Sequence, residues 1–211
     1  MKKIYTLLIL LVGLGAIFAQ QGSELPGPTQ SKPASLEKQY LDAIDANPKN
    51  AQAYWGLLKL YKASGKEDSL IKIALKAIQY LGDDPELYAI IGDTYKDKGD
   101  FSKSLSYYQM ALKISPISSG LYNRMGLTLL KMENYHQAEV AFKAAIFFVG
   151  NENNVAKGRY YNNLGVSFEA RQDHEMAAVF FKKALKLDPS HPYALSNLQR
   201  IENSLSQNTP Q

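Results

Sequence analysis

Residues 91–101, IGDTYKDKGDF, place three aspartates, two lysines and two glycines in eleven positions. Such a stretch is either a loop that holds a metal or a phosphate, or the bend inside a structural repeat. A calcium loop needs oxygen donors at alternating positions and a closing Glu. A phosphate loop needs G-x-x-x-x-G-K-[ST] behind a strand. The stretch supplies neither arrangement. Gly99, by contrast, has a counterpart 34 residues earlier at Gly65, and each follows a tyrosine by four residues, Tyr95 and Tyr61.

A shift of 34 also aligns Tyr54, Tyr88 and Tyr122; Leu57, Ile91 and Met125; and Ala77, Ala111 and Ala145. After five extra residues a fourth copy follows, with Tyr161, Leu164, Gly165, Phe168, Ala177, Phe181, Ala184 and Pro189 in the same columns. In each copy the apolar positions fall at helical spacing in two runs separated by a polar bend, so each unit is a helix, a turn and a helix. Asn50, Asp84 and Ser118 stand just before the first helix of the regular copies, and their side-chain oxygens suit an N-cap. Pro85, next in line, loses nothing there by lacking an amide hydrogen.

In the second copy the series reads Tyr88, Ile91, Gly92, Tyr95, Ser104, Tyr108, Ala111 and Pro116, which resembles the tetratricopeptide repeat. The resemblance implies an all-α, right-handed solenoid of four full repeats at 51–84, 85–118, 119–152 and 158–191. A half-repeat helix at 36–48 precedes them and a capping helix at 192–205 covers the last apolar face. Leu58 replaces the family glycine in copy one and Ser104 the first alanine in copy two, which predicts looser packing at both. The insertion at 153–157 is open between a lengthened preceding helix and a loop. Most of the tyrosines, among them Tyr40, Tyr54, Tyr61, Tyr88, Tyr95, Tyr108, Tyr122 and Tyr161, occupy core columns.

The chain starts with Lys2 and Lys3, an apolar run from Ile4 to Phe18, and Ala19 before a polar stretch. This is the pattern of a secretory signal peptide over 1–19, cleaved after Ala19. The run is short of the ~20 residues that span a bilayer, which disfavours the alternative of an inner-membrane anchor through residues 4–18. A flexible linker is expected over 20–35, rich in Gly, Pro, Ser and Gln, and a disordered tail over 206–211. There is no cysteine, hence no disulfide, lipidated cysteine or thiol nucleophile. Removing the signal lowers the net charge from +4 to +2, a poor basis for a nucleic-acid surface. An exported protein, periplasmic or secreted, is the expectation.

No catalytic constellation, metal-ligand spacing or cofactor motif is visible, so an enzyme is not expected and no cofactor is assigned. His136, His174 and His191 occupy unrelated columns and read as surface or turn residues. In the resembled family the first helix of each repeat lines a concave groove, and its second, fifth, sixth, ninth, twelfth and thirteenth positions face a ligand. Carried over to copies three and four, those columns give Asn123, Arg124, Leu127, Lys131, Arg159, Asn162, Asn163 and Val166. In copies one and two they give Trp55, Lys59, Lys62, Glu86, Asp93 and Lys96. Asparagine can pair with both groups of an extended peptide backbone, and arginine can grip a carboxylate in a fork. Trp55 is either a groove anchor or, the favoured reading, packs on the half repeat. The Lys, Asn, Asn, Lys, Arg clamp by which some members hold a terminal carboxylate is absent: copies one to three keep only Arg124 in place and copies two to four only Arg159.

These residues lead to the expectation of a scaffold or adaptor that binds a protein or extended peptide segment in its groove without catalysis. The alternative is an accessory of cell-wall or polysaccharide assembly that recognises glycan, or a cell-envelope enzyme, through Asn, Arg and Trp55. Membrane contact is expected only through an uncleaved signal.

Overall fold

The computed structural model describes residues 33–150 and 153–207. The expected signal peptide, the linker up to residue 32, Asn151 and Glu152, and the tail beyond residue 207 lie outside the described residues. The chain divides into two units, Met1–Lys38 and Gln39–Gln211, and the repeat stack belongs to the second. A helix α1 (Pro33–Ala46) precedes four hairpins. These are α2 (Ala51–Ala63) with α3 (Glu67–Leu81), α4 (Pro85–Asp97) with α5 (Phe101–Ile114), α6 (Ser119–Lys131) with α7 (Tyr135–Phe148), and α8 (Asn154–Ala170) with α9 (His174–Leu187). Helix α10 (Ala194–Gln207) closes the stack, and no strand occurs among the described residues.

The three expected caps form. Asn50 Oδ1 accepts from the Ala53 amide at 3.1 Å, Asp84 Oδ1 from Glu86 at 2.7 Å and Ser118 Oγ from Leu121 at 3.4 Å. Three of the four second helices are capped as well, by residues that pass for bend polarity in the sequence: Asp100 onto Lys103, Asn134 onto Gln137 and Asp173 onto Met176; α3, preceded by Lys66, has no side-chain cap. Each cap satisfies an amide that the first turn leaves without a partner. The opening stretch is thus the bend of repeat two, and Asp100 is the start signal of α5.

All four bends share one backbone closure. The amide of Lys66, Asp100, Asn134 or Asp173 returns to the carbonyl of Tyr61, Tyr95, Leu129 or Phe168 at 2.9–3.0 Å, the long bond of a Schellman ending. The residue before each donating amide must be left-handed. Gly65 (φ 65°) and Gly99 (φ 81°) meet this freely, but Glu133 (φ 57°) and Gln172 (φ 64°) occupy the same position with a Cβ, at a local cost of about 1–2 kcal/mol.

In repeats two to four a glycine on the first helix admits a large residue from the second. A Cβ on Gly92, Gly126 or Gly165 would come within 2.5–2.6 Å of the Tyr108, Phe142 or Phe181 ring. Those rings are fully buried, which for the two phenylalanines is worth about 1.5–3 kcal/mol each. In repeat one the pair is exchanged: Leu58 takes the glycine column and Ala74 the aromatic column, and both are buried in one cluster. The expected looser packing at Leu58 is therefore corrected, because the bulk has moved from one helix to the other rather than been lost. Ser104 is likewise fully buried, with its hydroxyl 3.5 Å from that of Thr128.

Three boundaries differ from expectation. Helix α1 begins at Pro33, inside the expected linker; proline costs a first turn nothing. Its Tyr40 ring fills the space over Gly56, where a Cβ would meet it at 2.4 Å, so α1 occupies the half-repeat position. The insertion forms neither a loop nor an extension of α7, which ends at Phe148 like its counterparts. It adds a turn to the front of α8, 17 residues long against 13 for α2, α4 and α6, because Asn153 caps the Ala156 amide. Finally, α10 starts at Ala194 rather than 192, where the buried His191 accepts at Nδ1 from the amides of Tyr193 (3.3 Å) and Ala194 (3.2 Å). It runs on through Gln207, so the first two residues of the expected tail are helical.

Candidate functional site in the first-helix face

Helices α4, α6 and α8 present the columns that the sequence points to, and two polar seams tie them together. Between repeats two and three, Arg124 on α6 reaches Glu86 on α4 with both terminal nitrogens, at 3.2 and 3.4 Å, and its Nε lies 3.5 Å from Asp93. Asp93 also accepts from the Tyr108 hydroxyl at 2.6 Å and from Lys96 at 3.2 Å. Burial, reinforced by the bond to Asp93, pushes the Tyr108 hydroxyl well above the usual tyrosine range, so it stays protonated and donates.

Between repeats three and four the seam is uncharged. Asn163 Nδ2 donates to Asn123 Oδ1 at 2.8 Å, Asn162 Nδ2 to Asn163 Oδ1 at 3.4 Å, and Asn197 Nδ2 to Asn162 Oδ1 at 3.0 Å. This ladder crosses from α6 through α8 to the closing helix. Asn162 is only 5% exposed, so its amide is part of the junction rather than an open donor. A parallel fork between Arg200 on α10 and Glu169 on α8 (2.8 and 2.7 Å) fastens the same pair of helices.

Where the seams end, a hollow of about 600 Å³ opens over the first helices. Leu127 and Leu130 of α6 and Val166 and Ala170 of α8 give it an apolar floor; Lys96, Lys131, Glu133 and Tyr135 complete the lining. Leu127, Lys131, Val166 and Lys96 come from the expected groove columns, while Leu130, Ala170 and Tyr135 add the apolar character that a search for donors overlooks.

The expected site residues thus separate. Asn123, Asn162 and Asn163 join one another, and Arg124 and Asp93 join each other. Arg159 lines a different, smaller hollow of about 270 Å³ with Val155, Asp188, His191, Pro192 and Tyr193. Lys59 and Trp55 lie exposed on α2 and enter neither seam nor either hollow; Trp55 keeps 37% of its surface, while the neighbouring Gly56 receives Tyr40. Asn197 was not foreseen, since it sits in a helix outside the 34-residue period. Among the described residues no group of three or more His, Cys, Asp or Glu is placed to hold a metal ion.

Two family models, both described as tetratricopeptide repeat, match residues 85–118, 119–146 and 158–191. These segments are tetratricopeptide repeats. The tetratricopeptide-repeat hairpin recurs at α2 and α3 with the same bend closure, so four units stack as a solenoid. Solved structures agree in fold. The crystal structure of MamA aligns at 22% identity over 73% of this chain and 87% of its own, with a TM-score of 0.63. YrrB, described as a TPR protein with an unusual peptide-binding site, aligns at 20% identity over 77% and 83%, TM-score 0.62. The first TPR of Spaghetti (RPAP3), bound to the HSP90 peptide SRMEEVD, aligns at 18% over 58% and 93%, TM-score 0.52.

Proposed function

We propose that this protein is an exported scaffold that holds an extended segment of a partner protein against its first-helix face, without chemistry of its own. The observation that carries the reading is the hollow floored by Leu127, Leu130, Val166 and Ala170. The helices that carry these apolar side chains, α6 and α8, are joined by the Asn123–Asn163 bond, and α6 is joined to α4 by the Arg124–Glu86 pair. A pre-formed apolar recess accepts a side chain at little ordering cost, which is how a small number of anchors carries most of a binding energy. Proteins of the same fold bind peptides, YrrB and the RPAP3 repeat among them, which lends support by analogy of fold. Export rests on the amino-terminal pattern Lys2, Lys3, Ile4 to Phe18 and Ala19.

The seams shift weight within the site. Arg124, Asn123, Asn162 and Asn163 already have partners in the fold, so the recess, with Lys131 at its rim, takes over the recognition role from the donor strip. For the same reason the glycan alternative draws less support, since the amides it would use are engaged with one another.

The test is selection of peptides from a displayed random library on the folded chain, followed by measurement with Leu127→Arg and Val166→Arg. Peptides that bind the parent and lose at least tenfold affinity on either variant, with helicity unchanged, are the expected result. Failure to select any binder, or binders indifferent to both variants, removes the proposal. For export, the mass of the chain recovered from outside the cytoplasm should correspond to a start at Gln20; a mass that includes Met1 overturns it.

A further inference from the structure

His191 is 6% exposed and stands at the junction of repeat four with the closing helix. Its Nδ1 accepts from two backbone amides, those of Tyr193 and Ala194, at the first turn of α10. An acceptor nitrogen carries no proton, so the imidazole is neutral with its hydrogen on Nε2. Helix caps are ordinarily Ser, Thr, Asp or Asn, which keep their acceptor oxygen throughout the neutral range. An imidazole does not: once Nδ1 takes a proton it becomes a donor facing two donors, and both amides lose their partner.

We infer that His191 makes the attachment of α10 sensitive to acid, so that a proton on Nδ1 uncaps the helix and loosens it from the stack. Three groups from the elements packed around it face the imidazole. From α8, Arg159 lines the same hollow and opposes a second positive charge. From the end of α9, Asp188 favours one, but its Oδ1 already accepts from the amide and hydroxyl of Ser190. From the following turn, Tyr193 meets the imidazole edge to face at 6.4 Å and carries no charge.

What α10 covers gives the loosening a consequence. Leu198 and Ile201 are buried in one cluster with Phe180, Phe181 and Ala177 of α9. Further polar ties join Asn197 to Asn162, Arg200 to Glu169 and Glu202 to Lys182, and none of these contains a histidine. Uncapping therefore frays α10 from its amino-terminal end, where Ala194 is buried, while its middle stays tethered.

The experiment is amide hydrogen exchange of the full chain at pH 7.5 and pH 5.0, corrected for intrinsic exchange, beside His191→Asn, which keeps a side-chain acceptor that does not titrate. In the parent, protection of the amides of residues 194–201 should fall about tenfold at pH 5.0 while those of α4 and α5 hold steady. In His191→Asn the fall should vanish. An equal fall in both proteins, or none in the parent, overturns the inference. Should His191→Asn not fold, nitrogen chemical shifts of the parent's imidazole decide instead. A protonated Nδ1 at pH 7.5 refutes the arrangement, and an unprotonated Nδ1 that takes a proton together with the loss of protection in α10 supports it.

Discussion

Between repeats two and three the first helices are joined by charge, through Arg124, Glu86 and Asp93. Between repeats three and four they are joined by amides, through Asn123, Asn163, Asn162 and Asn197. The same columns of the same repeat unit thus solve one problem, holding neighbouring helices in register beneath an open face, with two chemistries. The ionic seam keeps Arg124 and Glu86 partly in water, where attraction is weak and salt screens it. The amide seam ends on the closing helix and has a buried centre, Asn162, whose partners solvent cannot readily replace.

That contrast sets the order of expected effects. Asn162→Ala should destabilise most, by about 1–3 kcal/mol in urea unfolding, because it removes the buried link that bonds both Asn163 and Asn197. Arg124→Ala should cost less, ~1 kcal/mol, since Asp93 keeps Tyr108 and Lys96. Raising sodium chloride from 0.1 to 1 M should shrink the Arg124 deficit and leave the Asn162 deficit in place; equal salt response in both would break the comparison. Smallest are the bends. Glu133→Gly and Gln172→Gly relieve a left-handed backbone at the price of a looser unfolded chain, for a net gain below about 1 kcal/mol in thermal unfolding.

Much of the repeat frame is legible without coordinates because it is periodic. The columns of Tyr54, Ala77 and Gly92, the caps at Asn50, Asp84 and Ser118, and the bend at Gly99 each repeat at one interval, and each has a local cause. The seams are not periodic. Glu86 and Arg124 are second and sixth positions of successive repeats, and nothing in the chain says that a second position of one repeat faces a sixth of the next until the helices are stacked. Asn197 lies outside the period altogether, and Arg159 is drawn into a different hollow by a turn that copies one to three lack. Residues singled out as donors for a ligand proved to be donors for one another. The apolar floor, Leu127 and Val166, stood in the right columns but resembled ordinary core.

The exchange of bulk in repeat one bears on how such an array can grow. Leu58 and Ala74 put the large partner on the first helix, whereas Gly92 with Tyr108, Gly126 with Phe142 and Gly165 with Phe181 put it on the second. An unequal crossover inside a hairpin that joined the first helix of repeat one to the second helix of a later unit would drive a leucine into an aromatic ring. Its reciprocal product would leave glycine facing alanine across a void. Recombination between repeat one and a later unit preserves a folded product only with breakpoints between hairpins, whereas repeats two to four, which share one glycine-to-ring pairing, escape that restriction.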